Sequence, residues 1–148
     1  MITEIQQAII NEAVSWLGTP YDYGSAEKGK GIDCAKFLLA VYKKVGLIRP
    51  GFQPPHMNPD WSFKADADPA AFKEFILKCG HEVPFDERLP GDIVSYQFPG
   101  YAGRLYETHL AILIENDLII HAVRDHEVMR HRMTAFNNIK SVYRAKGL

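Results

Sequence analysis

The apolar residues of this chain repeat at helical spacing as far as Cys79 and at strand spacing after it. That single change of period restricts the folds open to it. A helical half followed by a stranded half does not build the alternating units of a parallel sheet. It suits an α+β fold in which N-terminal helices pack on an antiparallel β-sheet.

The helical half has clear ends. Thr3 and Gln6 form a capping-box pattern, and Ile5, Ile9, Ala13, Trp16 and Leu17 recur on one face up to Gly18. The spacing predicts a second helix from Asp33 to Val45, with Cys34, Phe37, Leu38, Val41 and Val45 on its core face and Gly46 at its end. Pro50, Pro54, Pro55, Pro59 and Pro69 make residues 50–69 a loop. A third helix is expected to take Asp68 as N-cap and Pro69 as its first residue, and to stop at Gly80. In the second half, Asp92 to Gln97, His109 to Glu115, Leu118 to Val123, His126 to Met133 and Ile139 to Arg144 read as strands. The second and third of these flank Asn116-Asp117 and read as a hairpin.

The chain has 148 residues, 47% apolar and 24% charged, which suits one folded domain over residues 1–148. Its 17 basic and 18 acidic residues leave a net charge of −1, which argues against a general nucleic-acid binder. Apolar runs such as Leu110 to Ile114 are far shorter than the roughly 20 residues of a membrane span. Two cysteines, Cys34 and Cys79, exclude a disulfide scaffold. Met1 to Gln7 lacks the basic and apolar segments of a secretory signal. The expectation is a cytoplasmic chain as synthesised, delivered to any cell wall by a phage or another route without a signal.

Cys34 stands at the predicted start of a helix, where backbone N–H groups and the helix dipole favour a thiolate. A buried packing role is the alternative. Cys79 lies in the last turn of its helix, where the dipole disfavours a thiolate, and reads as packing. A cysteine nucleophile needs a base and the base needs an orienting partner. If residue 114 faces 118 across the hairpin, 111 faces 121 and 109 faces 123. His109 and His121 then become diagonal neighbours on one face, roughly 5–8 Å apart. A shift of one residue would separate them.

Two other patterns lead less far. His126 and His131 imitate a His-Glu-x-x-His zinc site but are five apart, so the segment reads as an ordinary surface strand with no metal. Gly24 to Lys30 matches a phosphate-binding loop, but Gly31 stands where Ser or Thr should ligate Mg²⁺, leaving nucleotide binding a minor alternative. Tyr21, Tyr23, Phe52 and Trp61 either line a cleft or pack its rim.

Five motifs occur in order: Trp16 to Gly24, Gly31-Ile32-Asp33-Cys34, Leu89 to Val94, Thr108 to Ile112, and Ile119 to Ala122. Their content and order resemble the NlpC-type bacterial cell-wall cysteine peptidases, a papain-like clan. The resemblance implies a papain-like core with Cys34 as nucleophile, His109 as general base and His121 as its orienting partner, and no cofactor. It implies Tyr21 and Asp33 as active-site motif residues. The substrate it implies is a peptidoglycan stem peptide, commonly cut between D-γ-glutamate and a diamino acid. Ala35 and Lys36 depart from the family's Ser and Gly. Lys36 either points into solvent or brings a cation to the site mouth, where it would favour a carboxylate near the scissile bond. The segment Tyr101 to Thr108 reads as a long loop. The alternatives are a binding or assembly module of the same fold that has lost activity, and an amide hydrolase with another substrate.

Overall fold

The computed structural model describes residues 1–148. Three helices and eight strands follow one another as α1 (Glu4–Ser15), β1 (Ala26–Glu27), β2 (Gly31–Ile32), α2 (Cys34–Lys44), α3 (Ala71–Cys79), β3 (Gly80–Val83), β4 (Ile93–Pro99), β5 (Leu105–Leu113), β6 (Leu118–Ala122), β7 (Val128–Arg132) and β8 (Ile139–Ala145). β1 and β2 form a small hairpin, and the other six strands form one antiparallel sheet in the order β3-β8-β4-β5-β6-β7. This is the α+β arrangement expected from the change of period.

Local chemistry sets the helix starts. The Thr3 hydroxyl accepts from Gln6 N–H while the Gln6 side chain accepts from Thr3 N–H, so the capping box is complete. α1 stops at Ser15, short of the expected Leu17, and Gly18 takes φ +86° to turn the chain away. Asp33 caps α2, and Gly46 follows it at φ +84°. α3 corrects an expectation. Asp68 accepts from Ala70 N–H and caps only a turn, and the helix begins at Ala71.

Residues 50–69 are loop except for one turn of 3₁₀-helix at Trp61–Phe63. The expected long loop from Tyr101 to Thr108 is mostly strand. β4 and β5 pair as far as Pro99 and Leu105, and the turn is confined to the residues between them. The glycine-rich segment forms the β1–β2 hairpin, where Lys30 pairs with Glu27 on the surface.

The main core lies between the helices and one face of the sheet, with Phe37, Leu38 and Val41 of α2 against Leu110, Ile112 and Ile120. The other face carries a smaller cluster around Val94, Tyr96, Ala111, Leu113 and Ile119. Ile112 pairs with Ile120 and Leu113 with Ile119, which is the hairpin register expected from the turn.

β3 was not anticipated. Its four residues have exposed His81 and Glu82 at the centre, too short a pattern to mark a strand. It pairs with β8, where Gly80 lies opposite Ala145. A Cβ on Gly80 would come within 2.0 Å of the Arg144 carbonyl oxygen. Gly80→Ala is therefore expected to cost about 2–4 kcal/mol, read from the urea midpoint, because backbone rather than a side chain must yield. A loss under about 0.5 kcal/mol would mean that β3 moves aside freely.

Candidate active site

Cys34 is the first residue of α2 and is 8% exposed. Asp33, also buried, holds that start in place. One carboxylate oxygen accepts from Lys36 N–H at 2.9 Å, and the other from Gly24 N–H at 2.8 Å. The acid beside the cysteine therefore caps the helix and anchors the loop that carries Tyr21 to Gly24.

Cys34 meets β5 at its backbone. Sγ lies 4.0 Å from the Thr108 carbonyl oxygen, and the Leu110 N–H dipole is close enough to favour the thiolate, so the two influences bracket His109. The ladder between β5 and β6 ends at Ile112 and Ile120. Beyond it, where backbone pairing has ceased, side chains bridge the strands instead. His109 Nε2 and His121 Nδ1 are 2.7 Å apart, with ring centroids 4.9 Å apart. The expected diagonal pair is therefore present, in the expected register.

The histidine row does not stop there. His121 Nε2 is 2.8 Å from Nδ1 of His131 on β7. Phe136 packs edge-on against both rings, at 5.6 Å and 5.7 Å. The reading of residues 126–131 as an ordinary surface strand is thus wrong for His131, although His126 is exposed as expected. β6 and β7 pair His121 with Met129 and Ile119 with His131, which makes His121 and His131 diagonal neighbours. The arithmetic that joined His109 to His121, applied one hairpin further, would have found it.

Tyr21, Cys34, His109 and His121 line one cavity of about 330 Å³, walled by Trp61 from the proline-rich loop and by Arg124. Asp33 and Lys36 are not part of it. They line a neighbouring cavity of about 290 Å³ with Tyr23 and Ala35. The Lys36 ammonium donates to the Gly24 carbonyl at 2.9 Å, so the cation expected at the mouth of the cysteine's cavity is folded back beside it. Phe52 lies outside both, stacked on Phe75. No group of three or more His, Cys, Asp or Glu side chains is arranged to hold a metal ion.

Burial dominates the electrostatics. Burial first, then the Asp33 carboxylate, push the Cys34 thiol up to about 12, against the pull of the N–H groups of Leu110, Ala35 and Cys34. The thiolate expected at a helix start is outweighed in the resting protein. Burial pushes His109 down to about 4. Burial, with the His109 and His131 rings adding to it, pushes His121 down to about 2. Burial and the neighbouring Cys34 also hold the Tyr21 phenol well above its usual range, so it stays a neutral donor. Cys79, pushed up to about 11 by burial, sits with Sγ 3.7 Å from the Phe75 carbonyl, as a packing residue would.

The two depressed histidines carry a stability consequence. As pH falls, the unfolded chain takes up protons before the folded one. Their contribution is full above about pH 6.5 and is lost as pH falls through the folded values. Tm is expected to drop between about pH 7 and about pH 4, and His121→Asn should shrink that drop. A scan in which the variant keeps the whole wild-type drop would contradict the assignment.

Residues 18–146 match the model of the NlpC/P60 family. A curated relative, probable endopeptidase NlpC of Escherichia coli (strain K12), is 28% identical over 116 residues. The match covers 78% of this chain and 60% of that protein, so the chain spans less than two thirds of the relative's length. An NLP/P60-family protein of Staphylococcus aureus superposes with a TM-score of 0.66 at 22% identity, over 98% of this chain and 42% of that one. The NlpC/p60 domain of the peptidoglycan hydrolase SagA superposes at 0.63 and 22% identity, over 93% of this chain and 97% of that domain. At these identities the structural likenesses establish the shared papain-like fold.

Proposed function

Because the chain belongs to the NlpC/P60 family, we propose that it is a cysteine peptidase that hydrolyses amide bonds of peptidoglycan stem peptides. One observation carries the reading: a helix-start cysteine and a hydrogen-bonded histidine pair from a different part of the chain open into the same cavity.

His109 Nε2 is held by His121, which leaves Nδ1 as the nitrogen able to take the thiol proton. With the thiol pushed up to about 12 and His109 down to about 4, the resting pair is neutral. Proton transfer therefore accompanies attack. The Cys34 Sγ–H proton passes to His109 Nδ1 as sulfur bonds to the amide carbonyl carbon. Asp33 caps Lys36 N–H, so the N–H groups of Cys34 and Ala35 at the helix start remain to hold the oxyanion, and Tyr21 lines the same cavity. The C–N bond breaks as His109 Nδ1–H protonates the leaving amine. Water, deprotonated by His109, then attacks the thioester. The acid departs, and the proton returns to Cys34.

Incubation with purified muropeptides, read by mass spectrometry, tests the reading. The expected result is a pair of fragments whose masses sum to the parent plus one water. Intact muropeptides in the presence of folded protein would favour the binding-module alternative, for which the Ala35-Lys36 departure speaks. Cleavage of simple peptide amides alone would move the substrate outside peptidoglycan.

A further inference from the structure

A neutral imidazole has one N–H donor and one acceptor nitrogen. The row His109–His121–His131 is joined nitrogen to nitrogen at 2.7 Å and 2.8 Å, so all three rings must share one direction of donation. Only two directions exist. If donation runs outward, His109 and His121 each carry their proton on Nε2, and His109 Nδ1 is free to act as a base. If it runs inward, His109 carries its proton on Nδ1 and cannot take one from the thiol.

Two nitrogens in the row lack a protein partner, His109 Nδ1 and His131 Nε2. No buried side-chain nitrogen or oxygen in the protein is unpartnered, so both must reach open space. The first reaches the cysteine's cavity, which His109 lines. The second reaches solvent, since His131 is half-buried at the far end. His109 and His121 alone satisfy either direction equally well. The direction is then set by which nitrogen of the terminal ring, His131, carries the proton.

We infer that His131 is a positioning residue that, through His121, holds His109 in the tautomer with Nδ1 free. The inference extends the proposed reaction and uses its assignment of His109. As a neutral ring with its proton on the solvent-facing Nε2, His131 presents Nδ1 as an acceptor to His121 Nε2–H. Outward donation then leaves no orphan group along the row. Phe136, packed against both His121 and His131, keeps the rings from turning out of line.

Two substitutions separate this role from packing. His131→Asp loses the ring but retains an acceptor at about the position of Nδ1. His131→Phe retains the ring against Phe136 but has no acceptor. Side-chain ¹⁵N NMR of the full chain reads the His109 tautomer, and turnover of a stem peptide reads its consequence. The wild type and His131→Asp should show His109 with Nε2 protonated and Nδ1 free. His131→Phe should lose that single tautomer and lower kcat about tenfold or more, with little change in KM, because His121 Nε2–H is left without a partner. A packing role predicts the reverse order, with Phe close to wild type and Asp impaired, and that outcome overturns the inference. So does a wild-type His109 protonated on Nδ1. Should His131→Phe fail to fold, the tautomer in the wild type and His131→Asp decides alone. If the wild type hydrolyses no stem peptide, the proposed reaction fails, while the NMR measurement still decides the role of His131.

Discussion

Cys34→Ser is expected to lower kcat/KM on a stem peptide by about 10⁴-fold or more while leaving the circular dichroism spectrum and Tm nearly unchanged. The two side chains are close in size, and the site is already polar on one side, with the Thr108 carbonyl oxygen 4.0 Å from Sγ. The loss comes from chemistry. His109, held down to about 4, is a weak base for the thiol and a far weaker one for a hydroxyl. Cys79→Ser is the control. That thiol lies on α3, 3% exposed and outside the cavity, so its replacement should reduce stability by about 1 kcal/mol and leave turnover intact. Activity lost in folded Cys79→Ser, or kept in Cys34→Ser, would reassign the nucleophile.

His109→Ala should cost about 10³-fold in kcat, since in the proposed reaction one nitrogen both accepts the thiol proton and delivers it to the leaving amine. His121→Asn should cost much less, about tenfold, because its amide oxygen can stand at the position of Nδ1, 2.7 Å from His109 Nε2, and accept there. His121→Ala should fall between them, as it leaves His109 free to rotate. Steady-state kinetics on one substrate would order the three. Similar small losses in all of them would remove His109 from the reaction.

Much of this site was legible because its parts are encoded within a few residues of one another. The Thr3–Gln6 box, the Asp33 cap and Gly46 are contacts between near neighbours, and they mark helix ends wherever they occur. The hairpin register follows from a short turn and strict alternation, so pairing Ile112 with Ile120 was enough to place His109 beside His121. The position of His131 is encoded in the same way, by the register of the next hairpin, but its spacing from His126 imitates a zinc motif that the strand does not form. Asp68 misled for a related reason. It does accept a backbone N–H, but that bond closes a turn before the helix.

Residue order alone fixes the short-range part: the helix at Cys34, the strands bearing His109 and His121, and the period change that makes the fold α+β. The rest arises only from long-range packing. The last strand, β8, inserts between β3 and β4, and no local pattern names that partner. α2 meets β5 through the Thr108 and Leu110 backbone, and only this docking brings Cys34 to the same cavity as the histidines. Lys36 turns to the Gly24 carbonyl instead of the cavity mouth, because an anchored loop happens to offer an acceptor there. The thiol and imidazole protonation states also lie beyond the sequence. They depend on how much water the assembled protein removes from each group, and that desolvation outweighs the helix dipole that the sequence position supplies.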